Sequence, residues 1–224
     1  MAIYVVNIGE KEALKDLLVS QAMIVGLYKN NVNVDGNTTF EHLEELDKEA
    51  DGYQPKKLTN DVVFDQATAD KWYVYTNSDG KAEAQYSNAA LEWVASQSDV
   101  DNNNTVYGVF AWTLVLPFTS GGTDEIKVGS TITGITSGAT AEVTAIRLTS
   151  GSWSGGDAAG ELCIKNQTGT FQAEGIKIDT DDCATIAGDS EERLLFVEAF
   201  TTGQEINQVG FTIKYTLKLT MSTA

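Results

Sequence analysis

Near the end of the chain, the stretch "FTIKYTLKLTMS" alternates without a break. Phe211, Ile213, Tyr215, Leu217, Leu219 and Met221 are interleaved with Thr212, Lys214, Thr216, Lys218, Thr220 and Ser222. Only a strand, with its period of two, puts all the apolar members on one face. The segment predicts one long strand with a buried face and a wet face, tied into a sheet. The rest of the chain supplies partners for it. There are 20 glycines against 2 prolines, and Thr, Val and Ile are abundant, which suits strands joined by tight turns.

Two helices are expected before the strands take over. In "GEKEALKDLLVSQA", Leu14, Leu17 and Leu18 fall on one helical face, with Glu10, Lys11, Lys15 and Asp16 around the rest. "TTFEHLEELDKEADGY" predicts a second, short helix, with Thr38 and Glu41 at capping-box spacing and Gly52 as its stop. "MIVGLYKNN" between them reads as a strand. "KWYVYTNSDGKAEAQYS" predicts a hairpin turning at Asp79 and Gly80, and "AALEWVA" continues it. "TVYGVFAWTLVLPF" is apolar on both faces, so it is either buried on both sides or a subunit contact. Val106, Tyr107, Val109, Phe110 and Trp112 are therefore the candidate contact residues between subunits or with a partner protein.

Composition shifts at about residue 119 and again at about 190. Between these points the aromatics thin to Trp153 and Phe171, and short apolar runs are separated by turn signals such as "TSG" and "NQTG". That predicts a small all-β, barrel-like module. Beyond 190, "RLLFVEAF" brings back large apolar side chains. The expected fold is mainly β: a sandwich-like host domain with one or two short helices, carrying an inserted β-module. The host would be residues 1–118 and 191–224, and the insert 119–190. Loop tips tolerate such insertions because the ends leave and return close together. A linear arrangement of three parts is the alternative.

Lys and Arg total 15 against 32 Asp and Glu, a formal charge of −17. That field disfavours nucleic acid, whose phosphates need cationic partners, and it disfavours anionic membrane surfaces. No apolar run approaches the length of a membrane span, and no signal peptide is visible at the start, so synthesis in a cytosol is expected.

Reactive constellations are sparse. The single histidine, His42, sits among Glu41, Glu44 and Glu45, and no serine lies in a nucleophile-elbow pattern. One histidine cannot furnish a multi-His zinc site. Phosphate-binding glycine loops are absent. Asp99, Asp101, Asn103 and Thr105 alternate like the front of a calcium loop, but Asn104 stands where glycine belongs and Phe110 where glutamate belongs. Asp179, Asp181 and Asp182 form a second acidic turn. Cys163 and Cys183 fit no metal or redox spacing and are either isolated thiols or a disulfide. Trp153, in "TSGSWSGGDAAG", is either the main core residue of the small module or an aromatic platform for a sugar ring. No catalytic residue, cofactor or metal is expected.

Two sets of residues carry a resemblance. "GxTSGATAxV" within 132–146, followed by "GSWSGGDAAGELCIKNQTGTFQAEG", resembles a small β-module that recurs in virion proteins of tailed bacteriophages. "LKDLLVSQAMIVGLYKNNV", "TVYGVF" and "LLFVEAFTTGQEI" resemble parts of a phage minor structural protein. The resemblance implies a virion component without catalytic residues, made in the host bacterial cytoplasm. It does not fix the place in the particle, be it capsid surface, neck, tail or fibre base. The first expectation is a capsid decoration or cement protein, self-associating (as a trimer, for example) and bound to the major capsid protein or other virion proteins. The alternative is a tail- or fibre-associated module that binds host-surface carbohydrate through Trp153.

Overall fold

The computed structural model describes residues 7–46, 53–87, 89–95, 105–122, 124–206 and 209–221. The fold is mainly β, with one α-helix among these residues. In chain order, α1 (Asn7–Ser20) precedes β1 (Ile24–Tyr28), β2 (Lys56–Lys57), β3 (Val62–Phe64), β4 (Trp72–Thr76), β5 (Ala82–Tyr86) and β6 (Leu91–Val94). Then come β7 (Thr105–Gly121), β8 (Thr131–Gly134), β9 (Thr140–Ser150), β10 (Ala158–Thr168), β11 (Glu174–Ile178) and β12 (Asp181–Ile186). The last three are β13 (Glu191–Glu205), β14 (Thr212–Tyr215) and β15 (Lys218–Thr220).

The chain packs as two units. The first takes in residues up to 19, 23–112 and 194 onward; the second takes in 20–22 and 113–193. Composition marks the joints at 118/119 and 190/191, and packing puts them at 112/113 and 193/194. The reason lies in β7. Leu116 and Phe118 are interior to the second unit's core, and Leu114 already pairs with Ile164 of β10.

In the first unit, β2, β1, β7 and β13 lie side by side, while β3, β4, β5 and β15 form a second sheet and β6 pairs with β14. The helix buries Leu14 and Leu18 in a core shared with Val25, Leu27, Trp72, Val74, Val109 and Leu217. Two expectations for α1 are corrected. Leu17 is 46% exposed, and Glu10 is turned inward, its carboxylate accepting from Ala82 N at 3.4 Å. The buried stripe runs through 10, 14 and 18, and Leu17 lies at its margin.

The hairpin of β4 and β5 is antiparallel, with Trp72 opposite Tyr86. Asn77 Oδ1 accepts from both Asp79 N and Lys81 N, and Gly80 takes φ 77°, a conformation glycine adopts without a Cβ penalty. The expected continuation into β6 is not found: β5 is flanked by β15, and β6 pairs with β14 instead. The long C-terminal strand is also two strands. The chain breaks at Thr216–Leu217, so that β14 joins β6 and β15 joins β5. Leu217 stays fully buried at the crossing, and its carbonyl accepts from Tyr86 N. Alternation survives because both pieces keep the same face inward.

The expected second helix is a single 3-10 turn over Phe40–His42, and 47–52 lie outside the described residues. Its cap is one residue later than the Thr38–Glu41 spacing suggests. His42 Nδ1 accepts from Thr39 N at 3.0 Å, and His42 N donates to Thr39 O. The lone histidine is thus an exposed turn residue.

The second unit is a closed barrel. Going round it, β7 pairs with β10, β10 with β9, β9 with β8, β8 with β11, β11 with β12, and β12 returns to β7. Every pair is antiparallel, and closure leaves none of these strands with a free edge within the circuit. Side chains fill the interior, among them Phe118, Ile126, Ile132, Leu162, Ile164, Phe171 and Ile176. The segment "GITSG" turns between β8 and β9 under one carboxylate. Glu174 accepts from Thr136 N at 2.5 Å, Ser137 N at 2.9 Å, Ser137 Oγ at 2.5 Å and Gln172 N at 3.0 Å. Glu174 is 6% exposed. Burial alone would raise its carboxyl, but these donors outweigh burial and hold it at about 2.

Candidate assembly surface

The strand expected to make subunit contacts is interior. Val106, Val109 and Phe110 are fully buried and Trp112 is 3% exposed. Both faces of β7 are covered within the chain. Val109 and Ala111 belong to the core that takes in α1. On the other side Phe110 and Trp112 stack at 4.9 Å, and Phe40 meets them edge-on at 5.5 and 5.8 Å. These four side chains therefore do not serve as outward contacts in this fold; only Tyr107 is half-exposed. "TVYGVFAWTLVLPF" left burial and contact open, and the turn at Phe40 decides for burial.

Trp153 is also interior, 8% exposed and stacked on Phe118 at 5.2 Å with rings 7° from parallel. A 3-10 turn over Trp153–Gly155, capped by Ser152 Oγ accepting from Gly155 N, drives the indole inward. Gly121 of β7 makes the approach possible, since a Cβ there would lie 2.7 Å from the indole. The ring offers no open face to a sugar.

Among the described residues, the acidic stretches assemble no ligand cage. Asp99, Asp101 and Asn103 lie outside the described residues. Asp179, Asp181 and Asp182 are exposed around the β11–β12 turn, and Lys127 shares an open hollow of about 410 Å³ with Asp179 and Asp181. Among the described residues, no three His, Cys, Asp or Glu side chains are placed to hold a metal ion. Cys163 and Cys183 are free and buried, with burial pushing both thiols up. A cavity of about 350 Å³ in the first unit is lined by Leu27, Tyr53, Trp93, Phe211 and Ile213 together with Lys56 and Glu92. Its indole donor is already used, Trp93 Nε1 donating to Gln54 O.

The surface that stands out is β13. This strand pairs with β7 along one side, and no strand covers its other side among the described residues. Leu194, Leu195, Phe196, Val197 and Phe200 are only half-buried, although Leu195, Phe196 and Phe200 rest on the core. Past Val197 the strand turns polar, with Glu198, Thr201, Thr202, Gln204 and Glu205 exposed. A groove of about 450 Å³ runs beside it, lined by Glu198, Phe200, Thr202, Gln204, Ile213 and Lys214. Tyr215 Oη donates to Glu198 Oε2 at 2.5 Å, and burial and that carboxylate push the phenol up. Lys214 pairs with Glu92 at 2.6 Å.

The sheet that β13 borders ends on its far side at β2, which consists of Lys56 and Lys57. Neither lysine has an ion-pair partner among the described residues, and neither has Glu205. Arg193, the one cation of β13, is taken: its guanidinium makes a two-point contact with Glu161 at 2.8 and 2.6 Å. Sequence alone marks "RLLFVEAF" as a returning strand; it carries no signal that the strand is an edge. No described helix is long and apolar enough to cross a membrane. No family model matches the chain, and neither a curated protein nor a solved structure matches it.

Proposed function

We propose that the chain is a structural protein of a tailed-bacteriophage virion, a capsid decoration or cement protein that binds itself and the head shell. The observation that carries this reading is the long uncovered edge of β13. An unpaired strand edge presents a row of backbone donors and acceptors, and monomeric proteins normally blunt or cover one. Here the edge is long and carries an apolar run over 194–197, which suits strand addition by another chain. The barrel, closed on itself, has no such edge to offer. On a symmetric shell, many identical modest contacts add up to tight attachment. The charge of −17 makes copies repel one another until specific contacts form, and it keeps decorated particles apart in solution. The proposed role is mechanical, with no reaction, cofactor, nucleic acid or membrane in it. The resemblance in "GxTSGATAxV" and "LLFVEAFTTGQEI" supports the same class.

The reading is tested with capsids that lack the protein. Purified chain should add to them to a fixed ratio and raise the temperature at which they open. Capsids that neither bind it nor gain heat resistance would sink the decoration reading. The carbohydrate reading needed an exposed Trp153, and the buried indole gives it no support.

A further inference from the structure

We infer that copies of this chain join head to tail, with the β13 edge of one copy laid beside the β2 edge of the next. The inference rests on the assembly reading above and specifies its contact.

Strand direction is the first reason. β2 runs antiparallel to β1, and β1 antiparallel to β7. β13 runs antiparallel to β7 as well, because Gly203 lies against Thr105 and Tyr107 while Gly108 lies against Glu198. Directions thus alternate across all four strands. A second copy in the same orientation would set its β2 against β13 with the alternation unbroken, so the ladder continues as an antiparallel pair.

Charge is the second reason. A two-residue strand of lysines is a form that normally discourages edge pairing. Here it meets a match at the opposite border of the same sheet. Lys56 and Lys57 have no ion-pair partner among the described residues, and β13 presents the exposed Glu198 and Glu205. Because Arg193 is held by Glu161, the outer edge of β13 has no cation of its own to offer. Two β13 edges brought together would oppose carboxylates on chains that each carry −17. A β2 edge replaces that repulsion with attraction. Such a contact joins two different patches, so it does not stop at a two-fold dimer but builds a ring or a longer assembly.

Charge reversal tests this. Lys56→Glu/Lys57→Glu and, separately, Glu198→Lys/Glu205→Lys are compared with the unaltered chain by sedimentation and native mass spectrometry. The unaltered chain should form assemblies larger than a dimer that weaken as salt is added. Each reversed protein alone should associate at least tenfold more weakly. Mixing the two should restore assembly, because each then meets an opposite edge. Glu205→Lys alone, which leaves the Tyr215 hydrogen bond intact, guards against a folding defect, and circular dichroism should show unchanged melting. Assembly in Lys56→Glu/Lys57→Glu equal to that of the unaltered chain would overturn the head-to-tail contact and leave the virion reading standing. A chain that stays monomeric yet adds to capsids would do the same. A monomer that also fails to add to capsids would overturn both.

Discussion

Trp153→Ala should destabilise the protein by about 3–5 kcal/mol, the range for truncating a buried aromatic. The indole lies flat against Phe118 at 5.2 Å and is 8% exposed. The other aromatics described in this core are Phe118 and Phe171, both already buried, so no side chain of comparable size is free to refill the space. Gly121→Val should be comparably harmful by the opposite route, since a Cβ at 121 already meets both the indole and Ala158 at 2.7 Å. Urea unfolding followed by circular dichroism reads both effects. An alanine variant as stable as the parent would mean that the indole is not packed as described. It would also return Trp153 to consideration as a surface platform.

Glu174→Gln should lower stability by about 2–3 kcal/mol at neutral pH, because each carboxylate oxygen accepts from two donors and the amide replaces one of those oxygens with N–H. Acid should do the same to the parent chain. The Glu174 carboxyl sits at about 2 in the fold against an ordinary 4.5. The depressed value means that the contribution is complete above about 4.5 and is lost as pH falls from there toward 2. The variant has no such carboxyl, so its loss of stability over that window should be shallower than the parent's. Unfolding midpoints collected from pH 7 to pH 2 measure this. Parallel curves for the two proteins would show that the clamp on the 136–138 turn contributes nothing.

The clamp also shows where sequence reading stops. "ITGITSGATAEVTAI" declares its turn through Ser137 and Gly138, but nothing local says that Glu174, far along the chain, holds it. Periodicity served well wherever burial is one-sided. The alternation from Phe211 to Met221 is real, and so is the hairpin at Asp79–Gly80. It could not reveal the break at Leu217, because a period of two is indifferent to which neighbour a strand pairs with. Nor could it place Leu17, which lies at the margin of a helical stripe whose width is set by tertiary packing. The candidate contact residues of β7 failed for a related reason. A strand apolar on both faces is ambiguous until its cover is known, and the cover is Phe40 from a turn expected to be a helix. Trp153 was readable on size alone, since a small barrel with few aromatics must bury the largest. The free edge of β13 was not readable at all, because an edge is a property of sheet order and not of the strand's own residues.

The most direct test of the proposed virion role is a reconstruction of phage particles assembled with this chain present, at a resolution that separates strands. Density for the two units should lie on the outside of the head shell, with β13 of each copy against another protein strand. Density confined to the tail or fibres would contradict decoration of the capsid, and a β13 edge facing open solvent in every copy would contradict assembly through that strand.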